Sequence, residues 1–130
     1  MIYGIGIDII EIERIQKSIE RFGQKFLRRI FTDKELEYSL NKANKYQHLA
    51  ARFAAKEAIA KALSFNGDNG FSWQDIEIIN QPNGRPVPCL FRKMKEIVGD
   101  DKLLRITMSH SDHYVTCFAI LSTKSHDIQP

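Results

Sequence analysis

The sequence predicts a single α+β domain with helices packed on a largely antiparallel sheet. Three observations lead there. The first 65 residues carry helical periodicity after one opening strand, and the rest carries short apolar runs separated by turn residues. The third is size: 130 residues, 43% hydrophobic and 27% charged, supply one core and leave no reason for disorder. Two cysteines, Cys89 and Cys117, are too few for a disulfide framework. No apolar run approaches the roughly 20 residues of a membrane span, and the acidic start, Met1–Glu13, does not read as a signal peptide. A soluble cytoplasmic protein with no membrane partner is therefore expected.

Ile2–Ile10 reads as a strand apolar on both faces, hence central or heavily covered. Ile5, Ile7 and Ile9 share one face. Gly4, Gly6 and Asp8 share the other, where two glycines beside a carboxylate let a neighbour approach the backbone. Glu11–Arg29 is predicted helical with a break near Gly23, its apolar stripe being Ile12, Ile15, Ile19, Phe22 and Phe26. Thr32 and Glu35 have capping-box spacing and open a short helix to about Leu40, which gives Glu35 a structural role. After a polar connector, Gln47–Phe65 is the clearest helix, rich in alanine and ended by the glycine- and asparagine-rich residues 66–70. Strands are predicted at Asp75–Asn80, Val87–Leu90, Leu103–Ser109 and Tyr114–Ser122. Asn83-Gly84 turns between the first two, a short helix covers Phe91–Val98, and residues 110–113 close a hairpin. The domain is expected to span residues 1–122, with 123–130 a frayed tail.

The net charge of +3 is unevenly spread: residues 14–61 hold twelve basic and five acidic residues. Such a stretch is either a solvated face or a surface for a partner rich in phosphate or carboxylate. Within it, Leu49, Phe53, Glu57 and Lys61 fall on one helical stripe, and Ala50, Ala54, Ala58 and Ala62 form another that permits very close packing on a sheet. Glu57 and Lys61 have the spacing of a surface ion pair worth about 0.3–0.5 kcal/mol. If the alanine stripe presses on Gly4 and Gly6, the same helix carries Glu57 to Asp8. Asp8 in turn has two readings: a cap for the helix that follows, or one of two carboxylates suited to a hydrated Mg²⁺ that meets a phosphate, with Lys61 adding positive charge. Ser109 and His110 are adjacent in a strand and point to opposite faces, which disfavours a nucleophile–base pair, and no G-x-S-x-G elbow is present. His110 and His113 lack zinc-site context. The aromatic residues of the basic stretch lie on apolar stripes and do not interleave with its cations, so no nucleic-acid partner is expected.

The chain resembles the holo-acyl-carrier-protein synthases, the small bacterial class of 4′-phosphopantetheinyl transferases. The matching pieces are Gly4-Ile5-Gly6-Ile7-Asp8, Phe31-Thr32 with Glu35, and the run from Leu49 to Ala58 that contains Arg52-Phe53-Ala54-Ala55-Lys56-Glu57. Phe71-Ser72-Trp73, Asp75-Ile76, Asn83-Gly84-Arg85-Pro86 and Ser109-His110-Ser111 complete the set in order. The resemblance implies transfer of the phosphopantetheine arm of coenzyme A to a serine of apo-acyl carrier protein, releasing adenosine 3′,5′-bisphosphate. It implies Mg²⁺ held by Asp8 and Glu57, Lys61 at the phosphate under attack, and either Glu57 or a water on the metal as proton acceptor. It further implies a homotrimer in which Arg52, Asn83, Gly84, Pro86 and His110 of the adjacent subunit line the adenine and 3′-phosphate end. Arg14, Arg21 and Lys25 would receive the acidic helix of the carrier. The loop 64–70 departs from the family's Gly-Thr-Gly type and carries Asp68. A non-catalytic binder of coenzyme A or carrier protein is the alternative; intact Asp8, Glu57 and Lys61 argue against it.

Overall fold

The computed structural model describes residues 1–64 and 71–124. Strand β1 (Ile2–Glu11) runs directly into helix α1 (Ile12–Phe22), and Gly23, at φ 58°, separates α1 from α2 (Gln24–Ile30). Glycine meets that backbone angle without a Cβ penalty, which explains the expected break. Helix α3 (Asp33–Leu40) opens with the expected capping box: Glu35 N–H donates to Thr32 Oγ1 at 3.3 Å and Thr32 N–H donates to Glu35 Oε1 at 2.9 Å. The long helix α4 spans Lys45–Ala62, beginning inside the expected polar connector. Residues 66–70, expected to end it, and 125–130 of the expected tail lie outside the described residues.

A 3₁₀ turn at Trp73–Asp75 leads to β2 (Ile76–Asn80), which pairs antiparallel with β3 (Pro86–Leu90) in a two-stranded sheet. Helix α5 (Arg92–Val98) precedes β4 (Lys102–His110) and β5 (Tyr114–Thr123). The larger sheet has the order β1-β5-β4 and is antiparallel throughout. At its far end Thr123 and Lys124 are tied by backbone donation to Met1 O and Asp101 O.

Helix α4 lies on the inner face of this sheet at a separation that only glycine permits. A Cβ on Gly4 would sit 1.9 Å from Ala62 O, and one on Gly6 would sit 1.9 Å from Ala58 O. Alanine on the helix and glycine on the strand thus form one close contact. Leu49, Ala50, Ala54, Ala58, Ile59 and Ala62 of α4 bury against Val115, Cys117, Ala119 and Leu121 of β5. The outer face differs from expectation. β1 is an edge strand of the sheet, and Ile5, Ile7 and Ile9 are 60%, 62% and 66% exposed, with Phe118 beside them. A strand apolar on both faces signals that both faces seek cover; this chain covers only the glycine side.

Behind α4 sits a buried ion pair. Lys56 Nζ lies 2.6 Å from Glu35 Oε1, with both side chains fully buried. The ammonium also donates to Ile30 O at 2.7 Å and Trp73 O at 3.2 Å, which uses all three of its donors. Glu35 Oε2 accepts from Ile78 N–H at 2.9 Å, so the capping residue also joins α3 to β2. Thr32 Oγ1 donates to Glu77, another buried carboxylate. Burial holds the Lys56 ammonium below its ordinary pKa range, with Glu35 opposing that push.

Two stability outcomes follow from these contacts. Gly6→Ala must push α4 away from β1 and is expected to cost about 3 kcal/mol, read as a lower urea midpoint at unchanged m-value. Lys56→Met conserves volume but strands the Glu35 carboxylate, and is expected to cost about 3–5 kcal/mol in the same measurement.

Candidate active site

Asp8 stands on the inner face of β1 opposite Cys117, the next inward position after Gly4 and Gly6. It does not cap α1: that helix has Glu11 at its N-cap position, with no side-chain cap bond. Instead Lys61 Nζ reaches back from α4 to lie 3.2 Å from Asp8 Oδ1 and 2.9 Å from Ile7 O. Of the two pairings open to Lys61, the structure forms the one across elements and not the local one with Glu57.

Glu57 lies one turn before Lys61 and is half-buried at the same place. Burial, and then the neighbouring charge of Asp8, push its carboxyl above the usual range; Lys61 and Arg14 pull it partway back. Asp8, Glu57 and Arg14 line one cleft of about 310 Å³ together with Ser18, Ile15 and the rings of Phe26 and Phe53. Phe53 is held by stacking on Trp73, 5.2 Å between centroids and 20° between planes.

The close Gly–Ala packing described above is what places these groups together. Two carboxylates crowded near one ammonium form an oxygen donor set suited to a hard divalent cation. Among the described residues no cluster of three or more histidine, cysteine or acidic side chains forms a full cage. A cation here would therefore complete its shell with water or substrate oxygens, as Mg²⁺ commonly does.

A second cluster surrounds Arg52, five residues before Glu57 and so about 140° around α4 and about 7.5 Å along it. Arg52 is 3% exposed. Its Nη2 donates to Asn80 Oδ1 at 2.5 Å, its Nη1 to His48 O at 3.4 Å, and its Cζ lies 4.6 Å from the Tyr38 ring centroid. Asn80 Nδ2 donates to Gly84 O at 3.1 Å, which links Arg52 to the turn. Asn83 Oδ1 accepts from Arg85 N–H at 3.0 Å, and Pro86 pairs with Asn80 in the β2–β3 ladder. Gly84 adopts φ 86° there. His110 ends β4 on the face that carries Val115, and Ser109 pairs with Thr116 on the other, so the two do not converge. Burial, followed by the charges of Arg52, Lys42 and His110, holds His48 below its ordinary pKa. The structure thus gathers Arg52, Asn83, Gly84 and Pro86 through Asn80, and brings His110 within electrostatic reach of His48.

The third group is Arg14, Arg21 and Lys25, all exposed. Arg14 and Arg21 line a groove of about 330 Å³ along α1; Lys25, on α2, does not line it. Phe22, expected in the apolar stripe, is 54% exposed at this groove, with Arg21 Cζ 5.0 Å from its ring centroid. Gly23 turns the chain immediately after Phe22, and Phe26 and Leu27 of α2 supply the apolar contacts beyond the break. Arg14 borders both this groove and the Asp8–Glu57 cleft.

Sequence reasoning missed Tyr38, Lys42, His48 and Asn80. The spacing of His48 and Arg52, one helical turn apart, was available as a signal; the reach of Asn80 across from another sheet was not.

The pattern of the 4′-phosphopantetheinyl transferase superfamily matches residues 4–119. The holo-[acyl-carrier-protein] synthase of Protochlamydia amoebophila is 49% identical over 123 residues, covering 95% of this chain and 100% of that one. The crystal structure of holo-[acyl-carrier-protein] synthase from Neisseria meningitidis superposes with a TM-score of 0.86 at 32% identity, over 95% of this chain and 100% of that one. The Bacillus anthracis holo-(acyl-carrier-protein) synthase, solved in complex with CoA (3′,5′-ADP), gives 0.79 at 32% identity, over 95% and 99%. With the family pattern spanning nearly the whole chain and a relative 49% identical over all of its own length, the chain belongs to the 4′-phosphopantetheinyl transferase superfamily, in its holo-[acyl-carrier-protein] synthase branch.

Proposed function

We propose that this chain is an enzyme that transfers the 4′-phosphopantetheine arm of coenzyme A to a serine of apo-acyl carrier protein. One observation carries the reading: Asp8 of a strand and Glu57 of a helix line a single cleft, with Lys61 paired to Asp8, and the cleft's border residue Arg14 also lines a basic groove. Membership of the family supports it. The serine oxygen attacks the β-phosphorus, the one bearing pantetheine. The bond from that phosphorus to the bridging pyrophosphate oxygen breaks, and adenosine 3′,5′-bisphosphate leaves with the electron pair. Such a displacement needs alignment and charge neutralisation more than a protein nucleophile.

Asp8 and Glu57 would hold Mg²⁺, which when bound neutralises pyrophosphate charge. Lys61 brings a mobile ammonium beside the reacting phosphate and offsets charge on the leaving side. Glu57, a carboxylate of this cleft carried by α4, would accept the serine proton. Arg14, Arg21 and Lys25 supply positive charge for the carrier's acidic helix, and exposed Phe22 offers an apolar contact within that surface.

Arg52, Asn83, Gly84, Pro86 and His110 serve the adenine and 3′-phosphate end of coenzyme A. Because Arg52 and Glu57 face different sides of α4, one coenzyme A reaches both sets by lying between neighbouring copies. The uncovered isoleucine face of β1 favours such self-association, and the proposed assembly is a homotrimer of a transferase unit spanning residues 1–122. Two free cysteines and the absence, among the described residues, of a helix long and apolar enough to cross a membrane are in keeping with a cytoplasmic location. A non-catalytic binding module would need neither the carboxylate pair nor Lys61.

Apo-acyl carrier protein incubated with the protein, coenzyme A and Mg²⁺ is expected to gain about 340 Da by intact-mass analysis, the mass of the transferred arm. No gain would remove the enzyme reading for that carrier, and equal gain with the metal chelated would remove the metal role. Glu57→Gln and Asp8→Asn are each expected to lower transfer by at least about 100-fold with the fold retained by circular dichroism; near-normal rates in both would refute the site. Arg14→Glu is expected to raise the KM for carrier protein about tenfold or more while moving the KM for coenzyme A little. Equal effects on the two substrates would contradict the docking surface.

A further inference from the structure

Arg52 is a buried cation whose direct contacts among the described residues are neutral, the Glu35 carboxylate acting on it only from beyond ion-pair distance. It has no carboxylate within ion-pair distance among the described residues, and its Nε is buried without a partner. A guanidinium in that state is costly unless an anion completes it. It opens onto a cavity of about 510 Å³ whose wall also carries Lys34, Tyr38, Lys42 and Asn80, with one carboxylate, Glu37, set against these cations. What holds it there is neutral: the amide oxygen of Asn80 at 2.5 Å, the carbonyl of His48 at 3.4 Å and the face of the Tyr38 ring. Lys42 Nζ lies 4.6 Å from the centroid of the same ring, so the tyrosine is shared between two cations. A carboxylate at position 80 would fix the guanidinium equally well but cancel its charge. An amide fixes it and leaves the charge available.

We infer that Asn80 is the positioning residue through which this protein distinguishes coenzyme A from the same molecule lacking its 3′-phosphate. Asn80 acts at both ends of its side chain. Its oxygen orients Arg52, and its nitrogen, donating to Gly84 O at 3.1 Å, fixes the Asn83–Gly84 turn against that arginine. One neutral side chain thereby sets the spacing between the cation and the turn expected beside the adenine. The inference rests on the proposed placement of Arg52 at the 3′-phosphate end.

The test measures kcat and KM for coenzyme A and for dephospho-coenzyme A in the transfer assay, for the wild type, Arg52→Ala, Asn80→Ala and Asn80→Asp. Asn80→Ala is expected to raise the KM for coenzyme A roughly tenfold, the scale of one charge-assisted hydrogen bond. The KM for dephospho-coenzyme A is expected to rise less, about threefold or under, since that substrate meets only the loosened Asn83–Gly84 turn, while the KM for carrier protein and kcat change less than about twofold. Asn80→Asp keeps the acceptor and adds a charge that satisfies Arg52, so it is expected to erase the preference for the 3′-phosphorylated substrate as fully as Arg52→Ala does. That variant decides the matter if Asn80→Ala fails to fold. An unchanged substrate preference in Asn80→Asp, with the preference lost in Arg52→Ala, overturns the role of Asn80 alone. An unchanged preference in Arg52→Ala overturns the placement of Arg52, and the inference falls with it.

Discussion

The close approach of α4 to β1 is the constraint on which the rest depends. Gly4 and Gly6 admit the carbonyls of Ala62 and Ala58 where any Cβ would collide. That separation brings the stems of Glu57 and Lys61 within reach of a strand residue two positions beyond the second glycine. Lys61 then bridges to Asp8 and the carbonyl of Ile7. A helix at ordinary distance from the sheet would leave the carboxylates in separate solvent shells, without the burial and the Asp8 charge that together raise the proton affinity of Glu57.

The chain handles its two buried cations of α4 in opposite ways. Lys56 is neutralised by Glu35 and satisfied by carbonyls, and the pair joins α2, α3, α4 and β2 behind the cleft. Arg52, four residues earlier, is fixed by neutral acceptors and left charged beside a cavity. Both sit in low-dielectric surroundings that push their pKa values down. The difference lies in the partner: a carboxylate turns a cation into a structural tie, and an amide leaves it able to attract an anion.

Much of the fold was legible because its signals are local. The Thr32–Glu35 box, the break at Gly23 and the Asn83–Gly84 turn each depend on residues within a few positions, where the sequence states the geometry directly. Phe22 was misplaced since a helical stripe assumes a continuous helix, and the break at Gly23 left the ring outside. The isoleucines of β1 were read as covered because periodicity reports that a face is apolar and not what lies on it. Asn80 was invisible for a different reason: it meets Arg52 across 28 positions of sequence, and no pattern links an asparagine in one strand to an arginine in a helix.

By itself the sequence determined the elements, the alanine and glycine stripes that must meet and the unequal spread of charge, because these follow from backbone periodicity and side-chain size. It offered Asp8, Glu57 and Lys61 as a candidate set, which the resemblance to a known family singled out. Only the tertiary structure decided which partner Lys61 takes, that Asp8 does not cap α1, that Asn80 reaches Arg52, and that among the described residues no element of this chain's own covers the isoleucine face of β1. Those are outcomes of competition between distant groups for one position, and such competition is settled by distance, which a linear pattern does not contain.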